Sequence, residues 1–472
     1  MDSLNPPSLI LHIPTELTEN ALVLSHPRDV ASFAQTCRTA RALVYEARDQ
    51  HLWRRLFLEQ PFDDPRCSLA VGTVHTHTSN PIDWKKELQW RVYTMRVIQK
   101  ISTHPPELFD ALGALVGVVK NAPPMPEQPN ESKDLGWLNN LVSEHDVFGN
   151  GASAASDWTD EEQQRLAELW SYIGWRDSIT NRAAEELHVS RNTARSFVYD
   201  MRNYSRESGW GPFMPDKRGH VNWKHIESAI TVVICNLLDL GGLWPDTRPP
   251  CGLDATRAYS APGSHKRDPR DWAGVEGTWR RYVCFMDYRD LFTFNVAHFS
   301  PHLPRLFPLG MANVLFQFSA NAYDPSFFDD IEFQEATRLI ELTLHITRIS
   351  VGTLSSHSST ASPSLSATAA STSSSSADSP TPEQRPIIHF AGTSRGGNGN
   401  EAKVRGSVRM TPDGHIRWRF ASIYDGHSQW RFVFVFLKIS SRLGPARLIF
   451  LQQPPVAQRA SKSATSAVQP GS

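Results

Sequence analysis

Four arginines on two adjacent stretches are the residues of this chain best placed to bind a partner. Arg405 and Arg409 lie in Val404–Met410, and Arg417 and Arg419 lie in Ile416–Phe420, with Pro412-Asp413-Gly414 as a turn signal between them. They alternate with Val404, Val408, Met410, Ile416, Trp418 and Phe420. Side chains of a strand point to opposite faces in turn, so a hairpin here gathers the large apolar groups on one face and all four guanidinium groups on the other. All four arginines are therefore expected to be solvent-exposed. Such a face serves either as a solvated exterior or as a recognition surface for an acidic protein segment, and these four are the possible substrate-binding residues.

Other chemistry-bearing patterns point less far. His75 and His77 stand two apart in a Thr-rich stretch, and no third ligand is suggested beside them. Gly392-Thr393-Ser394-Arg395-Gly396-Gly397-Asn398-Gly399-Asn400 is glycine-rich but lacks the lysine and following helix of a phosphate loop, so it reads as a flexible connection between strands. Asp157-Trp158-Thr159-Asp160-Glu161-Glu162 invites a Myb-like reading, and Ala184–Ala194 a helix-turn-helix with Ser190 capping its second helix. Against DNA binding, His188 holds the turn position where glycine is wanted, and the stretch from Arg176 to Glu207 balances six arginines with five acids. Gly277-Thr278-Trp279 is similar to the Gly-x-Trp of lipocalin-like barrels, with Trp279 read first as a packing residue and second as the floor of a small-molecule pocket. Paired carboxylates, a nucleophile elbow and metal-ligand spacings do not emerge. The chain is read as non-catalytic, with no cofactor or metal.

The elements that must position these residues change period along the chain. Residues 8–60 read as short helices: Pro14 opens one with Leu17, Ala21, Leu22 and Leu24 behind it, and Pro27 opens another with Asp29 in its first turn. A helical middle follows over 61–245, interrupted by a Pro-rich linker at 121–134, with Trp84–Ile98 as its first amphipathic helix. A loop is expected over 246–275. Thr278–Asn295 suits strands, and Ile340, Leu342, Leu344 and Ile346 alternate with Glu341, Thr343 and His345. The fold class is α+β, with an N-terminal helical module, a helical middle and a C-terminal antiparallel β domain over 276–452, barrel-like or a sandwich. A Ser/Thr-rich insertion at 353–385 has no Phe, Trp, Tyr, Val or Ile and is expected to be disordered, as is a tail at 453–472.

Composition narrows the class. The 472 residues are 40% hydrophobic and 21% charged, with a formal net charge of −1, which argues against whole-chain attraction to nucleic acid or an anionic membrane. No apolar run is long enough to span a bilayer. The five cysteines are scattered without a CxxC, as expected of reduced thiols in the cytoplasm or nucleus.

One resemblance organises the first 60 residues. Ile13-Pro14-Thr15-Glu16-Leu17, Ala21-Leu22-Val23-Leu24, Pro27-Arg28-Asp29-Val30, Gln35-Thr36-Cys37-Arg38 and Leu52-Trp53-Arg54-Arg55-Leu56 together resemble the F-box, in that family's order. The resemblance implies a helical module that docks on the adaptor subunit of cullin–RING (SCF-type) ubiquitin ligases. It carries partner contact onto Ile13, Pro14, Leu17, Leu22, Val30, Cys37 and Trp53. A helical piece this small does not build a self-sufficient core, which fits an apolar face left open for a partner. Asp83–Leu88, Ala194–Tyr204, Gly211-Pro212-Phe213, Val221-Asn222-Trp223 and Asp271–Trp279 further resemble a fungal lineage of F-box proteins with a β-rich C-terminal body. After Tyr424–Trp430 the chain departs from that lineage's glycine-rich strand pair, so the last strands are expected to be missing. The implied function is a substrate receptor that holds a still unknown protein substrate against the ligase. The alternatives are a ligand-binding or scaffold F-box protein acting outside a ligase, and a helix-turn-helix DNA-binding protein.

Overall fold

Short helices set by prolines and caps build the N-terminal module. The protein is described from a computed structural model, which covers residues 13–47, 49–66, 82–121, 132–149, 158–174, 183–239, 270–296, 324–350, 385–397, 399–424 and 427–435. Helix α1 (Thr15–Val23) follows Pro14, and α2 (Pro27–Ala34) begins on a proline whose missing N–H is no loss at that position. His26 Nδ1 accepts from the Arg28 amide at 3.1 Å. Helix α3 (Arg38–Tyr45) is capped by Cys37, whose Sγ accepts from the Ala40 amide at 3.3 Å. In α4 (His51–Glu59), Trp53 Nε1 donates to the Val44 carbonyl at 2.9 Å and ties α4 to α3.

The module is not closed on itself. Its buried residues Val30, Val44, Leu56 and Phe57 share one core with the next helices. These are α5 (Trp84–Ile98), α6 (Leu108–Asn121) and α7 (Lys133–Glu144). Helix α7 starts inside the linker expected at 121–134, because Ser132 caps it through the Leu135 amide. Arg91 of α5 is buried, paired with Asp134 of α7, and its guanidinium lies 4.3 Å from the Phe62 ring centre. Helix α8 (Asp160–Leu169) opens on a capping box between Thr159 and Glu162, so the Asp160-Glu161-Glu162 run is a helix start.

Helix α9 (Ala184–Val198) is unbroken, which overturns the helix-turn-helix reading. His188, Val189 and Ser190 continue one helix, and Ser190 caps nothing. Helix α10 (Trp223–Asp239) packs against both α8 and α9. No helix among the described residues is long and apolar enough to cross a membrane.

The C-terminal part is a six-stranded antiparallel sheet in chain order. Its strands are β1 (Gly277–Met286), β2 (Glu335–Ser350), β3 (Ile387–Gly396), β4 (Glu401–Met410), β5 (Ile416–Tyr424) and β6 (His427–Val435). Residues Tyr288–Val296 form a helix, α11, where a strand was expected. Among the described residues β1 and β6 do not pair, so the sheet is open and neither a closed barrel nor a two-sheet sandwich. Residues Gly392–Gly396 belong to β3, and only the end of that glycine-rich run turns toward β4. Strand β6 pairs with β5 through Val435, so one further strand follows Tyr424. The insertion at 353–385 lies outside the described residues except for Arg385, and the tail at 453–472, His75, His77, Cys67 and Cys251 lie outside them entirely.

One face of the sheet is the core. Trp279, Leu342, Ile388, Val408 and Trp418 are fully buried there. Trp279 meets Trp418 edge-on at 4.8 Å and donates Nε1 to the Val275 carbonyl at 2.9 Å. It is a packing residue, in line with the first of its two readings.

Polar joints lock helices to sheet. Glu168 of α8 takes Lys120 at 2.7 Å, Arg165 at 2.9 Å and His415, from the β4–β5 turn, at 3.3 Å. Burial alone would raise the Glu168 carboxyl, but the His415 hydrogen bond and the Lys120 charge outweigh it and hold it at about 2. Arg195 of α9 pairs with Glu335 of β2 at 2.7 Å, and the Tyr199 hydroxyl donates to the same carboxylate.

Candidate functional site

Two surfaces stand out, one at each end of the sequence. Along α1 and at its two ends, Ile13, Leu17 and Leu24 are 45%, 58% and 84% exposed, with Pro14 and Ala21 also exposed. Leu17, Ala21 and the C-cap Leu24 follow helical spacing, and Ile13 adds an exposed apolar side chain just before the helix begins. The opposite side of α1 buries Leu22 and Val23. The helix therefore carries apolar groups on two faces, and only one of them is used within the chain.

The seven residues tied to the adaptor by resemblance thus divide. Ile13, Pro14 and Leu17 belong to the exposed set. Leu22, Val30 and Trp53 are buried inside the module and hold its helices together. Within this chain these three are internal packing residues. Cys37 is half-buried and serves as the α3 cap. Leu24, which was not among the seven, is the most exposed large apolar residue of that set. Periodicity places Leu24 with Leu17 and Ala21, but it does not tell which of the apolar positions the module buries.

The second surface is the outer face of β4 and β5. Their register pairs Arg409 with Arg417, Ser407 with Arg419 and Arg405 with Ala421, so all four arginines share one face. The opposite face holds Val404, Val408, Trp418 and Phe420, all buried, with Met410 and Ile416 half-buried. The hairpin register expected from alternation holds. Arg405, Arg409 and Arg419 are exposed.

Arg417 is not exposed, and the reason is a long-range contact. A loop between α9 and α10 lies over this end of the sheet, closed by the Phe213–Val221 bridge and by the Met214 amide donating to the His220 carbonyl at 2.8 Å. The Val221 amide donates to Asp413 Oδ2 at 3.0 Å, which fastens the loop to the β4–β5 turn. The Phe213 ring centre sits 4.2 Å from the Arg417 guanidinium carbon. Burial, and then the charges of Arg409 and Arg419, lower Arg417 to about 10. Burial and Arg419 likewise lower Arg409. The face continues onto β3, where burial and Arg348 lower His389.

The loop is the part of this surface that strand patterning misses. Its signal is the Gly209-Trp210-Gly211-Pro212-Phe213 cluster, a rigid and aromatic stretch too short for an element of its own. Of the described cysteines, Cys235 and Cys284 are buried free thiols pushed up by burial to about 11 and about 12, which fits packing rather than reactivity.

Comparison of the chain with protein-family models, with curated proteins and with solved structures yields no match.

Proposed function

We propose that this chain is an F-box substrate receptor, which docks through α1 on the adaptor subunit of a cullin–RING ubiquitin ligase and presents a protein captured elsewhere on its surface. The observation that carries the reading is the exposed apolar set of Ile13, Leu17 and Leu24, on a four-helix unit whose other large apolar groups are buried or packed in part against the core. Three large exposed apolar side chains along one helix and its ends are a poor surface for water and a good one for a helical partner. In this role the chain contributes proximity rather than chemistry, by raising the local concentration of its captured partner beside the charged conjugating enzyme. The basic outer face of β4–β5, with Arg405, Arg409 and Arg419 exposed, is the surface we assign to capture.

The test is adaptor binding by the purified full chain. Changing Leu17 and Leu24 together to Asp is expected to weaken binding by about three orders of magnitude, since each interface anchor contributes on the order of 2 kcal/mol. The melting temperature should stay within a few degrees of the parent, because neither side chain is packed inside. Wild-type chain that fails to bind the adaptor, or a folded double variant that binds undiminished, would sink the proposal. Ubiquitylation of a co-purified protein that depends on this chain, measured after proteasome inhibition, separates a receptor from a scaffold.

A further inference from the structure

Arg417 has an environment that its neighbours leave electrostatically incomplete. The residue is only 9% exposed, and its Nε is buried without an acceptor. Among the described residues no carboxylate pairs with it. The charges that reach it are those of Arg409, directly across on β4, and Arg419, two residues along β5.

The contacts that do exist fall short of balancing a buried charge. The cation–π contact with Phe213 offsets only part of the cost of taking an ion out of water. The acids of the covering loop and turn are engaged elsewhere, Glu207 with Ser205 and the Lys217 charge. Asp216 pairs with His220 at 2.8 Å, and Asp413 accepts from the Val221 amide. Space beside the guanidinium is kept by Gly209, at φ +59°, where a Cβ would stand 3.0 Å from Nη2.

We propose that Arg409, Arg417 and Arg419 form a binding site for a phosphoryl group at the seam between the β4–β5 face and the 205–221 loop. Arg417 is the oriented donor, because Phe213 holds its planar fork in place before any ligand arrives. Arg409 and Arg419 add charge from the solvent side. A dianion with three acceptor oxygens matches three neighbouring cations better than a carboxylate, which would leave most of the excess charge standing. The inference rests on the reading of this face as a binding surface, and is independent of adaptor docking. The phosphoryl group could be carried on a protein or be free in solution, and the chemistry of recognition is the same.

The experiment is ligand-dependent stability and calorimetry on the full chain, using inorganic phosphate against sodium chloride at matched ionic strength. Wild type should show saturable binding. Arg417→Met, which keeps the packing on Phe213 and removes the charge, should lose at least tenfold in affinity. Lys403→Gln, at an exposed position of the neighbouring strand β4, should bind as wild type does. If Arg417→Met does not fold, Arg409→Gln with Arg419→Gln should show the same loss, because both are exposed. Absence of saturable phosphate binding by wild type overturns the proposal, as does equal binding by the arginine variants or an equal loss in Lys403→Gln. A Gly/Ser-flanked phosphoserine peptide that binds tenfold or more tighter than phosphate identifies a protein-borne group, and equal affinity identifies a free one. If an unphosphorylated acidic peptide binds as well as the phosphopeptide and is indifferent to Arg417→Met, the face still binds acids and the phosphoryl site is refuted.

Discussion

Two buried ionisable residues make acid the natural solvent of weakness for this fold. His225 of α10 is buried beneath Tyr204, with Nε2 3.0 Å from the hydroxyl, and burial lowers it from 6.5 to about 3. The unfolded chain therefore takes up this proton first, and stability is lost as pH falls from about 6.5 toward 3. Glu168 is also depressed, from 4.5 to about 2, so its contribution is complete above 4.5 and disappears as pH falls toward 2. Each proton is worth up to about 1.4 kcal/mol per pH unit within its window. Urea unfolding measured from pH 7 to 3 should show stability declining in two overlapping stages. His225→Phe should flatten the stage between 6.5 and 4.5, and Glu168→Gln the one below it. A parent profile that is level from pH 6.5 to 4.5 would show that His225 is not buried neutral.

Among the elements, the β4–β5 hairpin offers the sharpest check, because alternation predicts both of its faces. Trp418 is fully buried against Trp279 and Phe390, so Trp418→Ala should cost about 3–5 kcal/mol through the cavity it leaves. Arg405→Glu and Arg419→Glu should each stay within about 0.5 kcal/mol, as exposed sites do. Denaturant titration of the three variants checks the order, and tolerance of Trp418→Ala beside unfolding of the Glu variants would invert the register. The hairpin, β2, and helices α1, α2 and α5 were legible because each is a local matter of period, proline and cap. What escaped depends on contacts between distant segments. Arg417 lost its exposure to a loop some 200 residues earlier, which strand period does not see. Tyr288–Val296 is rich in aromatic residues that suit either a strand or a helix. It became a helix that packs Phe294 against Phe328, a partner supplied by tertiary structure. The α1 stripe was legible as apolar spacing, but period alone does not say which apolar face is used internally.

At the scale of the whole molecule, the polar joints at Glu168 and Glu335 make helices and sheet one body, and the connections between strands carry little of its stability. Strands β2 and β3 pair out to Ser350 opposite Ile387, so the Ser/Thr-rich insertion leaves and returns at one point of the sheet. Replacing Thr353–Arg385 by about 8 Gly/Ser residues should change stability by about 1–2 kcal/mol at most, since closure entropy varies slowly with loop length. Thermal melting of the shortened chain checks this, and a much larger drop would mean that the tract packs on the fold. The strictly sequential order of the sheet bears on how the chain comes off the ribosome. Every strand after β1 hydrogen-bonds to the one made just before it, so each of these arriving segments finds its template already translated and only β1 waits for its first partner. Growth of the sheet is then vectorial, with α10 already synthesised as a surface for β1. The longest pause falls between β1 and β2, since 48 residues separate Met286 from Glu335 and only 36 separate Ser350 from Ile387, and through it the open edge of β1 stands available to chaperones.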